Sequence, residues 1–340
     1  MLSQNLEELT ALFESLQPDD RKAFTAVVKA AAQAQGFNLK DLVTAKEEDD
    51  GIRCPRCHQV EVVKFGIRKD TQWYKCKACS KTFSSTTGTF LSWTKKSFYT
   101  WKLFFKSMMD GQPIRKAATV CKINRNTAFV WRHKVLDALT QHQNSQPRMK
   151  GIIEADDTYF QLSYKGSTPK DRESRERGSP ASKRGISKEK VCVSCAVDRN
   201  GNVFSRVSGL GKPTSESLWD TFKGRLSKHS VVVTDKDTAY AKYAASVPFE
   251  HIQLKSGIER RGPYHVQNIN AYHSRLKHFT RKFKGVSTKY LNNYLVWQNV
   301  IMEGSRSRIE LLKLAIKALV FTRWCDISSR PAVPVLGMGH

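Results

Sequence analysis

The chain has 340 residues, and its 57 Lys and Arg against 31 Asp and Glu leave a formal charge of +26. That length gives room for two or three domains and a substantial core, which excludes a peptide-sized module. So large a positive excess implies a polyanionic partner, and nucleic acid is expected over a membrane surface, because no amphipathic anchor, lipidation signal or spanning run accompanies the charge.

The charge is unevenly placed: ten acids against five bases make residues 1–50 net −5, leaving +31 on the remainder. No basic region followed by an apolar run opens the chain, so a secretion signal is not expected and a cytoplasmic, nucleoid-associated location is. Eight cysteines in such a setting point to metal ligation or inert thiols and away from disulfides.

In chain order, residues 1–46 read as a helical hairpin, with Leu6, Leu9, Phe13 and Leu16 and then Phe24, Val27, Val28 and Ala31 at helical spacing. The acidic run 47–50 is a solvated linker. Residues 52–92 contain Cys54, Cys57, Cys76 and Cys79 as two CxxC pairs with 18 residues between them. That spacing brings four thiolates to the corners of a tetrahedron, the arrangement of a structural zinc ribbon. Strands are expected at 60–65 and 72–75, studded with Lys64, Arg68 and Lys75.

Residues 95–140 predict three helices: one carrying Phe98, Trp101, Phe104, Phe105 and Met108, a short one after Pro113, and a third capped by Asn124. The last two match a helix-turn-helix whose second member would enter the major groove, with Arg125, Asn126, Thr127 and Arg132 as its DNA-facing residues. Residues 141–150 lack periodicity and read as a linker.

From 150 to 300 the pattern changes to strands at 152–162, 191–198 and 203–207, a hairpin turn at Asn200-Gly201, a helix at 218–226, and a short buried strand at 230–234 ending in Asp235. Residues 165–190 read as a mobile basic loop, and the chain is mainly helical from 266. A C-terminal helix and tail occupy 301–340, with 329–340 frayed. The whole is expected to be multidomain α+β, and this strand and helix order is that of an RNase H-like core with a mixed sheet. Asp156 in the first strand and Asp235 at the end of the fourth would hold two Mg²⁺ or Mn²⁺ ions for phosphoryl transfer. Alternation sets Glu154 on the face of Asp156, as a possible supporting carboxylate, and Asp157 on the opposite face. It also separates Cys192 from Cys195, which read as small core residues. Asp237 reads as a surface residue.

The segment 265–277 carries no carboxylate, and no Asp or Glu occurs between Glu259 and Glu303. On a helix Asn270, His273, Ser274 and Lys277 share one face. Across residues 50–300 the chain resembles bacterial insertion-sequence transposases that join a zinc ribbon and helix-turn-helix to an RNase H-like DDE-type core. The stretches that carry the resemblance are the paired cysteines, 153–159 around Asp156, 183–198, Asp235 with Tyr240, and 265–291.

The resemblance implies that Asp156 and Asp235 are the first two catalytic positions and that Asn270 stands where such cores have a glutamate; from the shared helix face, His273 is expected to assist the site and Lys277 and Arg281 to hold DNA phosphates. It further implies a transposase that binds the terminal inverted repeats of its element as double-stranded DNA, cuts and joins them to target DNA, and works as a homodimer or larger assembly. The rival is a catalytically silent, domesticated transposase that binds DNA sequence-specifically; a nuclease that cuts without joining is a third reading.

Overall fold

In the computed structural model the chain divides into two compact units, Met1–Arg53 and Cys54–His340. The structure describes residues 14–15, 17–18, 52–68, 71–166, 181–255, 259–302, 315 and 322–334. The hairpin expected over 1–46, most of the basic loop expected over 165–190 and the apolar run around 311–321 therefore fall almost entirely outside the described residues.

The second unit begins with a three-stranded antiparallel sheet of β1 (Val62–Arg68), β2 (Thr71–Cys76) and β3 (Thr82–Ser84). Its small core is the pair Tyr74 and Phe83, with ring centroids 5.7 Å apart. The two cysteine turns share one construction: the residue after each CxxC pair, His58 or Ser80, holds a left-handed φ of 60° or 58°. Backbone bonds from His58 to Cys54 and from Cys76 to Lys81 close these turns around the thiols.

Helices α1 (Phe98–Met109), α2 (Ile114–Val120) and α3 (Arg125–Ser145) follow. Ser97 caps α1 and Asn124 caps α3, each accepting from a backbone N–H of the first turn. Trp101 of α1 stacks on Trp131 of α3 with centroids 3.6 Å apart. Helix α3 runs through 141–145, where a linker was expected, because Arg225 donates to the Gln143 carbonyl and the Asn144 side chain and so ties the last turn to the core.

Arg132 corrects the expectation that it faces DNA, since it is fully buried. Its guanidinium donates to the Gln112 carbonyl at 2.6 Å and lies over the Trp297 ring at 4.7 Å. The side chain points inward because α3 packs on two sides, against α1 and α2 and against α7 (Leu291–Met302).

The main sheet is five-stranded and mixed, in the order β6-β5-β4-β7-β8. Strands β4 (Ile152–Gln161), β5 (Lys190–Asp198) and β6 (Val203–Leu210) are antiparallel neighbours, whereas β7 (Val231–Asp235) and β8 (Glu250–Leu254) run parallel to β4. Two apolar layers sandwich it. On one face α6 (Gln267–Arg281) and α7 bury Ile269, Tyr272, Leu276 and Leu295 against Val193, Cys195 and Val233. On the other, α4 (Ser215–Phe222) and α5 (Thr238–Ala245) bury Leu218, Phe222 and Tyr240 against Ile153, Ala155 and Ala196. A last short helix, α8 (Trp324–Ser328), makes eight α-helices among the described residues, none of them long and apolar enough to cross a membrane.

Strand β8 and helix α5 were not anticipated, since β8 reads Glu-His-Ile-Gln-Leu and carries little apolar signal. The expected fraying from 329 is also corrected at Arg330, whose guanidinium makes two 2.7 Å bonds to Asp137 of α3.

Candidate active site

The parallel register of β4 and β7 pairs Glu154 with Val233. Continued two residues along both strands, it sets Asp156 level with Asp235 on the face covered by α6. Helix α6 brings His273 to the same place, with Nδ1 3.7 Å from Oδ2 of Asp156. Lys277 follows one turn on, exposed, and its positive charge acts on Asp156. Asn270 precedes His273 by one turn and is exposed, and among the described residues its side-chain amide has no hydrogen-bond partner. Arg281 is exposed in the last turn of α6. Asp156, Asp235 and His273 thus come together; Asn270 and Lys277 share their helix face, and Arg132 lies apart from any surface.

The electrostatics are those of crowded carboxylates in a half-dry cleft. Burial pushes the Asp156 carboxyl up to about 6, and repulsion from Asp235 and Asp237 adds to it, while the Asp157 backbone and Lys277 oppose. Asp235 is raised as well, by burial and then by Asp237. Burial and the nearby Lys277 push His273 down to about 4, which keeps the imidazole neutral at ordinary pH, and its Nε2 is a buried atom without a partner among the described residues. Asp237 is more than a surface residue: it caps α5 by accepting from the Ala239 N–H at 2.7 Å.

Glu154 faces the same side as Asp156 but performs a different task. Its carboxylate is 1% exposed and accepts from the backbone N–H groups of Asn268 and Ile269, at 2.8 and 3.0 Å, and from the Asn268 side chain at 2.9 Å. Arg199 pairs with it at 2.6 Å, and His265 lies 3.3 Å away. A strand residue therefore caps α6, whose own N-cap position, Val266, offers no side-chain cap. Alternation gave the facing of Glu154; its partners at Asn268 and Ile269, more than a hundred residues away in sequence, had no local signal.

Asp157 points to the other face, where Ser194 and Tyr240 donate to its Oδ1 at 2.5 and 3.2 Å. Burial, aided by the charge of Asp156, raises it to about 7. Among the described residues the only group of three or more His, Cys, Asp or Glu that converges tightly enough to hold a metal is Cys54, Cys57, Cys76 and Cys79. Their Sγ atoms pair at 3.6 Å, Cys54 with Cys79 and Cys57 with Cys76, close to the ~3.8 Å edge of a tetrahedron with 2.3 Å metal–sulfur bonds.

Residues 148–297, a little under half of the chain, match the family model for the ISXO2-like transposase domain. A relative, the uncharacterized protein in transposable element ISH50 of Halobacterium salinarum, is 26% identical over 250 residues, covering 72% of this chain and 83% of that protein. Among solved structures, a simian T-cell lymphotropic virus intasome in complex with PP2A regulatory subunit B56 gamma aligns at TM-score 0.27 and 15% identity, covering 57% of this chain and 67% of that one. A pre-cleavage Mos1 transpososome aligns at TM-score 0.20 and 11% identity, with 64% and 79% covered. Likenesses this loose carry no weight for the site.

Proposed function

We propose that the protein is a DNA transposase in which an RNase H-like core, residues 150–300, cuts the ends of its element and joins them to target DNA. The observation that carries this reading is that Asp156 feels the charge of Asp235 and has His273 Nδ1 3.7 Å from its Oδ2, at the mouth of the sheet. Asp156 and Asp235 would hold Mg²⁺ or Mn²⁺, and Asn270, with its uncommitted amide oxygen, would serve as a neutral third donor. The fit rests on the repulsion that Asp235 and Asp237 exert on Asp156 and that Asp237 exerts on Asp235, which a divalent cation relieves, and on the Nε2 of neutral His273, which has no partner among the described residues. Such ions activate the attacking water or 3′-hydroxyl and stabilise the leaving oxygen.

The chain's own residues do the rest. Glu154 fixes α6, so His273 stays against Asp156, while Lys277 and Arg281 offer cations to the DNA backbone along the exposed face of α6. The four cysteines would bind a structural Zn²⁺ in a ribbon at 52–92. Residues 95–140 form the helix-turn-helix, reading the terminal inverted repeats through Arg125, Asn126 and Thr127, all at the accessible tip of α3. Synapsis of two element ends calls for a homodimer or larger assembly.

Cleavage and strand transfer by purified protein with Mn²⁺, on duplexes carrying the inverted repeats that flank its gene, test the proposal. Both activities should vanish in Asp156→Ala and Asp235→Ala. Sequence-specific binding with neither activity in the wild type would leave the catalytically silent DNA-binding reading in its place.

A further inference from the structure

The accessible tip of α3 borders a cleft of about 380 Å³ lined by Asn126, Thr127, Val130, Trp131, Lys134 and Trp324. Trp324 comes from α8, far along the chain, and is 56% exposed, touching Phe129 edge-on at 6.1 Å. The segment that carries it is pinned on both sides. Thr322 donates to Asp137 at 2.8 Å, Ile327 is fully buried, and Arg330 clamps both oxygens of Asp137 while donating to Asn293 at 2.9 Å. An exposed indole on so firmly held a strap is a displayed group.

The surroundings indicate what it is displayed to. The sequence has no acid between Asp110 and Asp137, and Arg115, Lys116, Lys122 and Arg125 are exposed on α2, the turn and the tip of α3. Lys134, which lines the cleft, donates to the Ser92 carbonyl, so the connection carrying Trp93 reaches the same neighbourhood. Trp93 is 84% exposed and holds a φ of 61°, a costly backbone conformation for so bulky a residue. Cations suit phosphates, an amide and a hydroxyl suit base edges, and an indole suits the face or methyl group of a base.

We propose that the strap 322–330 and the tip of α3 form one composite surface for duplex DNA, with the Trp324 indole against a nucleobase next to the bases read by Asn126 and Thr127. The inference rests on the DNA-binding reading above and extends it to a part of the chain outside the helix-turn-helix.

Full-length protein is used to select duplexes from a random-sequence pool, and variants are compared on the selected duplex by fluorescence anisotropy. Trp324→Ala should bind it about tenfold more weakly, or ~1.4 kcal/mol, while a scrambled duplex changes by less than about twofold. Trp324→Phe should retain most of the affinity. Wild-type protein should also photo-crosslink through Trp324 to iodouracil placed in the selected site, a readout that does not depend on any variant folding. Unchanged affinity in Trp324→Ala, with Asn126→Ala weakened, removes the strap from the surface and leaves the DNA-binding reading standing. Failure of the wild type to select any duplex overturns both, and an acidic peptide competing at the cleft in place of DNA overturns the proposed occupant.

Discussion

Glu154 on strand β4 grips Asn268 on helix α6 twice, through the backbone N–H at 2.8 Å and the side-chain Nδ2 at 2.9 Å. This grip sets the distance between a strand-borne aspartate and the helix that must face it. Glu154→Ala strips a buried carboxylate from Arg199 and from the donors that open α6, so a loss of roughly 3–5 kcal/mol is expected in denaturant unfolding. Glu154→Gln should fold but lose DNA-cleavage activity, because α6 is no longer drawn to β4. Full activity in Glu154→Gln would show that the charge at this position does not hold the site.

Asn270 lacks the charge that a third carboxylate would bring. Asn270→Asp is expected to tighten Mn²⁺ binding by roughly tenfold, as anionic ligands are added to a cation site. Calorimetric titration of both proteins measures it, and equal affinities would place Asn270 outside the coordination shell.

One zinc per chain is expected by elemental analysis. Chelation or Cys79→Ser should expose residues 54–84 to protease while the five-stranded core stays resistant, since the ribbon's own apolar core is little more than Tyr74 and Phe83. A ribbon equally protected with and without chelator would contradict it.

Arg125 and Arg132 occupy the same helix but should behave oppositely. Arg132→Ala removes a buried side chain stacked on Trp297 and is expected to cost roughly 2–4 kcal/mol of stability. Arg125→Ala is exposed and should change stability by less than about 0.5 kcal/mol while weakening DNA binding and reducing its salt dependence. Unfolding curves and salt titrations of binding separate the two effects.

His133 is buried among Phe129, Tyr290 and Tyr294, and neither ring nitrogen has a partner among the described residues. Burial, then the charges of Arg330, Arg132 and Lys289, push it well below its ordinary value. The unfolded chain thus binds a proton that the folded one refuses. The stability it contributes is complete above about pH 6.5 and is lost as pH falls below that value. Thermal melts from pH 7.5 down to 5 should decline more steeply for the wild type than for His133→Phe.

Much of the local architecture was legible in the residues themselves. The CxxC spacing, the cap Asn124, the Asn200-Gly201 turn and the alternation around Asp156 are short-range signals, because metal geometry, first-turn hydrogen bonding and strand pleating act over a few residues. Arg132 was misread for the same reason: charge on a helix after a turn looks like a DNA contact until a second packing surface, α7, covers it. Strand β8 went unread because its place in the sheet comes from pairing with β7 and owes little to its own pattern.

What the sequence determined by itself was therefore the chemistry available: four thiols, Asp156 and Asp235 at strand positions, and a helix bearing Asn270, His273 and Lys277 without a carboxylate. Only the tertiary structure decided which groups meet. It matched β4 and β7 in register, assigned Glu154 to hold α6 and left Asp156 to the open cleft, buried Arg132, and carried Trp324 to the tip of α3. Those choices depend on contacts between residues far apart in the chain, whose energies come from packing and desolvation and leave no periodic trace in the sequence.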